Sequence, residues 1–218
     1  MIHNTHPDVA VRARLPHRPI RLASTKHLPQ QDWLAIRQQG IGSSDAAAAV
    51  GLNPYQSMLE LWLIKTGRQA SIVSDGLSSQ QDNTDQADPM YWGKILEPIV
   101  AQHYQQRTGA KVRRVNAVLQ HPEQPWMLAN LDYRISGDSS VGILECKTAG
   151  EFGARRWKDG VPDDIQLQVQ HQLAVTGEHA ADVAVLICGQ RLQIHRIHRD
   201  NALINRLIAL EQQFWHYV

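Results

Sequence analysis

Two short runs of alternating polarity limit the folds open to this chain more than any other feature: Leu131-Asp132-Tyr133-Arg134-Ile135 and Ile143-Leu144-Glu145-Cys146-Lys147. Successive side chains of an extended strand point to opposite faces. Leu131, Tyr133 and Ile135 therefore share one face of the first strand, and Asp132 and Arg134 the other. In the second, Ile143, Glu145 and Lys147 lie together, with Leu144 and Cys146 on the reverse. The segment between them, Ser136 to Val141, carries Gly137, Asp138 and Ser139, a turn composition. Neighbouring strands of this kind set one Asp, one Glu and one Lys side by side.

Such a triplet is costly in a sheet. Carboxylates held close repel, so one takes up a proton, pairs with the lysine, or shares a cation with its neighbour. Asp132 and Glu145 offer the hard oxygen donors that suit Mg²⁺ or Mn²⁺. Lys147 beside them is placed to orient a water or offset developing negative charge. The plainer alternative is three charges on the solvated face of an amphipathic hairpin.

Composition narrows the classes. A chain of 218 residues, 43% hydrophobic and 20% charged, can bury one sizeable core but not two large domains. A net charge of +1 means that any nucleic-acid surface must come from local clustering. Cys146 and Cys188 are too few for a four-cysteine cluster and give no disulfide framework. No apolar run reaches the roughly 18 residues of a membrane span, and the amino terminus lacks the apolar stretch of a signal peptide, so the cytoplasm is expected. The 11 histidines are scattered and read as surface or packing residues.

Along the chain, residues 1–28 place Arg12, Arg14, Arg18, Arg21 and Lys26 among three prolines without a helical period. They are expected to form a basic, mobile arm that touches a phosphate backbone or keeps the chain soluble. Residues 29–218 read as one domain. Asp32 is a candidate cap for a helix through Trp33 and Ile36, ended by Gly40-Ile41-Gly42. Ser43-Ser44-Asp45 opens a second helix, and Ser57 a third, with Leu59, Trp62 and Leu63 as its buried stripe. A polar loop is expected at about 68–90. Met90 to Thr108 then has helical spacing through Ile95 and Ile99, with Pro98 marking a kink.

A strand is expected over Lys111–Leu119, followed by the central pair and a helix over Pro162–Thr176 closed by Gly177. A hairpin of Val183–Cys188 and Leu192–His198 turns at Gly189-Gln190, and a last helix over 201–217 runs through Leu203, Leu207, Leu210 and Phe214. With few repeated βαβ units, the class is mixed α/β (α+β): a central mixed five-stranded sheet flanked by helices.

Three further polar groups bear on the choice between a metal site and a solvated face. Glu97 sits among Leu96, Pro98 and Ile99, apolar neighbours that can aim it inward as a third carboxylate, although a lone helical Glu is usually solvated. Of Gln168, Gln170 and Gln172, only Gln168 and Gln172 are spaced to share a helix face; one of them can meet a metal-bound water or a phosphate, or the row is simply a polar surface. Arg37 and Ser44 flank the glycine turn, where a guanidinium fork and helix-start N–H groups make an anion receiver; capping alone also explains Ser44.

The order Glu97, Asp132, Glu145-x-Lys147 and a glutamine helix, preceded by Arg37 and Gly42-Ser43-Ser44-Asp45, resembles the PD-(D/E)XK nucleases. More narrowly, it is similar to the YqaJ-type viral recombinases, the family of the phage lambda exonuclease. Leu59-Glu60-Leu61-Trp62, Lys65-Thr66-Gly67, Asn130-Leu131-Asp132 and Gln168 to Leu173 extend the likeness over residues 32–198. The resemblance implies a restriction-endonuclease-like core and a Mg²⁺-dependent exonuclease, Mn²⁺ substituting, that works 5′→3′ on double-stranded DNA ends. It makes Asp132 and Glu145 the metal ligands with Glu97 beside them, Lys147 the catalytic lysine and Gln168 the helix glutamine of the site. Arg37, Ser44 and Asn130 fall at phosphate- and DNA-binding positions. Leu131 stands where the family pattern often has proline.

A single-strand annealing partner, a ring-shaped homo-oligomer and a bacterial or phage origin are implied in the same way. Within the superfamily the alternative is a structure-specific or nicking endonuclease; outside it, a DNA-binding module without catalysis. A small-molecule hydrolase has little support, because Gly-x-Ser-x-Gly and His-Glu-x-x-His are both missing.

Overall fold

The architecture comes from a computed structural model that describes residues 17–68, 89–137 and 140–218. Its framework is a long hairpin bent in the middle. Strands β3 (Lys111–Arg114) and β4 (Ala117–Gln120) form one arm, β5 (Met127–Asn130) and β6 (Tyr133–Ser136) the other. At the bend each arm passes from one sheet to another. The outer halves β4 and β5 join β1 (Ile20–Ser24) and β2 (Ile41–Gly42) in a four-stranded sheet of order β1-β4-β5-β2. The inner halves join β7 (Ile143–Ala149), β8 (Ala180–Ile187) and β9 (Arg191–His198) in a five-stranded sheet of order β3-β6-β7-β8-β9. The bend itself is pinned by the Val115 N–H donating to the Asp132 carbonyl at 3.0 Å.

The five-stranded sheet is mixed, as expected: β7 and β8 are parallel and the other pairs antiparallel. Parallel strands need a crossover, supplied here by α5 (Glu151–Ala154) and α6 (Asp163–Thr176). Gly177 ends α6 at φ +74°, where a Cβ would lie 2.5 Å from the His17 carbonyl oxygen. The β8–β9 turn is centred on Cys188-Gly189, both at positive φ, which matches the twist of a tight hairpin, rather than on Gly189-Gln190.

Core packing follows the strand alternation. Ile143, Val183 and Val185 face Val169 and Leu173 of α6. Leu144 and Ala184 face Val100, Ala101 and Tyr104 of α4 (Pro89–Thr108). Ahead of this core lie α1 (Gln30–Gln38), α2 (Ala46–Ala49) and α3 (Met58–Lys65); α7 (Asn201–His216) closes the chain against them through Phe214, Ile41 and Leu61. Among the described residues, no helix is long and apolar enough to cross a membrane.

Several sequence expectations are corrected. The 1–28 arm is not free throughout: Ile20–Ser24 pairs with β4, with a register shift between Arg21 and Ala23. Its residues are mostly exposed, so backbone pairing rather than burial holds it and it leaves no alternation to read. Residues 1–16, and 69–88 of the expected loop, lie outside the described residues. The strand over Lys111–Leu119 is two strands in different sheets. Asp32 is a first-turn residue of α1, whose cap position is Pro29. Ser57 caps α3 as expected, with Glu60 closing the box, but the helix buries Leu61 and Lys65 while Leu59 is exposed. On α4 the buried side chains are Val100, Ala101 and Tyr104, and Ile95 and Ile99 are exposed. Leu210 is also exposed, its place on α7 taken by Ile204, Leu207 and Glu211.

Candidate active site

Strand β7 turns Glu145 and Lys147 toward α6, as the alternation requires. On that helix Gln168 and Gln172 occupy one stripe and close on Glu145 together. Gln168 donates Nε2 to Glu145 Oε1 at 2.7 Å, and Gln172 donates Nε2 to Glu145 Oε2 at 2.8 Å. Lys147 Nζ lies 2.8 Å from the same Oε1 and donates to Gln168 Oε1 at 3.0 Å. A carboxylate only 3% exposed thus has donors on both oxygens, which is what a buried anion needs. Gln170, between the two, turns away to the His198 carbonyl and the Asp200 N–H.

Asp132 sits at the bend of the long hairpin, between β5 and β6. There it leaves the ladder and accepts the Cys146 N–H on Oδ2 at 2.8 Å, which ties it to the residue after Glu145. Burial pushes its carboxyl well above the usual carboxylate range, with the Glu145 charge adding and Lys147 opposing. Burial would lower Lys147, but Glu145 and Asp132 more than offset it and hold the ammonium protonated. Burial pushes the Cys146 thiol up as well, which leaves it a poor nucleophile.

Glu97 reaches the same cleft from α4. Its Oε1 is buried without an aligned hydrogen bond, 3.2 Å from Arg114 Nη2, and burial raises its carboxyl above the usual range against that arginine. Among the described residues no three Asp, Glu, His or Cys side chains converge into a ready cation cage. What converges is Asp132 and Glu145, with Glu97 on the facing wall. The donors are hard oxygens in a confined space where negative charge is already expensive, and these features fit a divalent ion of the Mg²⁺ type.

Arg37 completes the opposite corner. Its Nη2 donates to Asp45 Oδ1 at 2.7 Å and Ser44 Oγ at 3.2 Å, while its guanidinium stacks 4.8 Å from the Trp33 ring. Ser44 is exposed at a short 3₁₀ turn, Ser43–Asp45, whose cap position is Gly42, and its Oγ donates to Asp45 Oδ1 at 3.5 Å. Asp45 is also gripped by Lys65 Nζ at 2.7 Å. Burial alone would raise its carboxyl, yet Arg37 and Lys65 hold it down at about 2.

One cleft of about 480 Å³ gathers every residue singled out from the sequence: Arg37, Ser44, Glu97, Asn130, Asp132, Glu145, Lys147 and Gln168. Trp33, Lys94 and Thr148 join its lining, and sequence reading did not find them. Asp45 and Lys65 enter the sequence reading only as members of matched motifs, and their place behind Arg37 is not foreseen there; a further signal is a lysine in an apolar run, Leu61-Trp62-Leu63-Ile64-Lys65.

A mixed sheet carrying paired acids and a lysine on its central strand, backed by a glutamine helix, defines an α/β fold of the exonuclease type. The alkaline exonuclease of Laribacter hongkongensis superposes with TM-score 0.65 at 24% identity, covering 86% of this chain and 91% of that one. The same enzyme in complex with dAMP superposes at 0.64. A phage-related exonuclease from Haemophilus somnus 129PT gives 0.55 at 12% identity, covering 85% of this chain and 96% of that one. The chain belongs to the YqaJ-like viral recombinase domain family, whose pattern spans residues 32–179. The uncharacterized YqaJ protein of Bacillus subtilis (strain 168) is 39% identical over 198 residues, which is 89% of this chain but only 58% of the relative's length.

Proposed function

We propose that the chain is a Mg²⁺-dependent deoxyribonuclease, with Mn²⁺ able to substitute. In this reading it degrades double-stranded DNA from its ends, 5′→3′, and leaves single strands for recombination. The observation that carries it is the holding of Glu145 by Lys147, Gln168 and Gln172 beside Asp132. A solvated hairpin face needs no such set of partners. Membership of a viral recombinase family supports DNA as the substrate, as does an exonuclease of the same fold that binds dAMP.

Asp132 and Glu145 would hold the ion, with Glu97 approaching from α4. Bound there, a divalent ion would supply Lewis acidity toward the scissile phosphate and a nearby water. Lys147 keeps its proton and offsets charge that accumulates on the phosphate. Gln168 holds Lys147 and Glu145 to one another, so the acid and the cation keep a fixed spacing. Arg37 and Ser44 receive a terminal 5′-phosphate at the far corner, and Asn130 steadies the backbone between. The reading extends to the cytoplasm of a bacterial or phage-infected cell, a single-strand annealing partner and a ring of copies.

The test is digestion of end-labelled linear duplexes bearing a 5′-phosphate or a 5′-hydroxyl, alongside a closed circle, in Mg²⁺ or EDTA. Stepwise loss of the linear 5′-phosphorylated strand in Mg²⁺, with the circle spared, is expected. Cutting of the circle would move the assignment to an endonuclease, and equal behaviour in EDTA would remove the metal.

A further inference from the structure

We propose that Lys65, which does not line the cleft, is a positioning residue for DNA-end recognition. It keeps Asp45 from neutralising Arg37, so that Arg37 meets a 5′-phosphate as a net cation held at a fixed angle. The inference rests on the reading of Arg37 and Ser44 as the phosphate receiver.

The geometry is specific. Asp45 accepts Arg37 Nη2 on Oδ1 at 2.7 Å and Lys65 Nζ on Oδ2 at 2.7 Å. Lys65 Nζ also donates to the Arg37 backbone carbonyl at 2.8 Å, so it grips both ends of the arginine's support. Its side chain is 3% exposed. An ammonium in such a place is expensive, and for stability alone an apolar residue serves as well. The Gly42 N–H donates to the same Asp45 Oδ2 at 3.2 Å, and a Cβ on Gly42 would lie 3.3 Å from that oxygen.

An arginine facing a lone carboxylate forms a closed neutral pair with little left for phosphate. Here two cations share one carboxylate, and the trio retains one positive charge. Of the three, only Arg37 reaches the cleft wall, and Trp33 covers one face of its guanidinium. The retained charge therefore presents itself through Arg37.

The experiment is an anisotropy titration of labelled duplexes with a 5′-phosphate or a 5′-hydroxyl, in EDTA so that no strand is cut. It compares wild type, Lys65→Met and Lys65→Met/Asp45→Asn. Lys65→Met leaves a neutral Arg37–Asp45 pair, and the preference for the phosphorylated end should fall about tenfold or more, the scale of a charge-assisted hydrogen bond. The double variant frees the arginine's charge while the Asn carbonyl still accepts from it, and the preference should return. An unchanged preference in Lys65→Met overturns the proposal, as does a double variant that loses it equally, the mark of a merely structural role. If Lys65→Met fails to fold, the double variant, which leaves no unpaired charge in the trio's core, decides by keeping or losing the preference. A wild type that binds both ends alike removes the phosphate-receiver reading itself, and the proposal falls with it.

Discussion

Gln172 donates its amide to Glu145 across 2.8 Å from a side chain with no exposed surface. Gln168, one turn earlier, does the same to the other carboxylate oxygen. The acid is thus held from the helix as well as from its own strand, and its orientation depends on a residue that never meets solvent.

Gln172→Leu should therefore act at a distance from the cleft. Loss of a hydrogen bond to a charged, buried partner costs about 1.5–3 kcal/mol, or roughly 3–12 °C in melting temperature for a chain of this size. Nuclease activity should fall with it, because Glu145 is released on one side. Thermal melts and turnover on linear duplex check both. A variant with unchanged melting and rate would show that Glu145 is held without Gln172.

Asp132→Asn, Glu145→Gln and Lys147→Met should each reduce Mg²⁺-dependent degradation by orders of magnitude while the fold persists. Asp132→Asn carries a second expectation. Its carboxyl is raised in the fold, so the ionised form costs stability above the carboxylate range, and the neutral amide should melt higher than wild type in EDTA. Mg²⁺ should raise the wild-type melting temperature, by about 2.7 kcal/mol equivalent at a hundredfold excess over Kd, and leave Asp132→Asn nearly unmoved. Equal Mg²⁺ shifts in both would remove Asp132 as a ligand.

Arg37→Ala should weaken attack on 5′-phosphorylated ends about tenfold or more and spare 5′-hydroxyl ends. Arg37→Lys keeps the charge but not the fork and should recover only part of the loss. Equal loss on both ends would leave Arg37 a packing residue.

His171 and Glu211 offer a pH test away from the cleft. The histidine is fully buried, with Nδ1 2.8 Å from Glu211 Oε1 and Nε2 donating to the Leu128 carbonyl at 3.0 Å. Burial would lower its pKa, but Glu211 and the Leu128 carbonyl raise it above the free value of 6.5. Stability from this pair is complete below pH 6.5 and is lost as pH rises through the raised folded value. At pH 6, Glu211→Gln should cost about 3–5 kcal/mol, as expected when a buried ion pair loses one partner, and the gap from wild type should narrow toward pH 9. A gap constant across pH would mean a neutral His171.

Glu145, Lys147 and the Gln168/Gln172 stripe were legible because period-two and period-four spacings determine which side chains share a face. Asp132 was legible as an acid next to Glu145, but not as a residue at a bend. Leu131 to Ile135 alternates without interruption, and nothing in the pattern reports that the strand changes sheets at Asn130. The four-stranded sheet stayed hidden for a related reason: β1 and β2 are short, and β1 is mostly exposed. The buried pairings of Lys65 and His171 were not legible because each depends on a partner distant in sequence, Asp45 in one case and Glu211 in the other.

The bend has a geometric consequence. Asn130 belongs to one sheet and Tyr133 to the other, so on this arm of the hairpin only Leu131 and Asp132 join the two sheets. A span that short fixes Asn130 and Asp132, both of which line the cleft, close together along the chain. In the proposed function, a duplex end would therefore meet the candidate metal-binding acid and Asn130 on a single short piece of backbone.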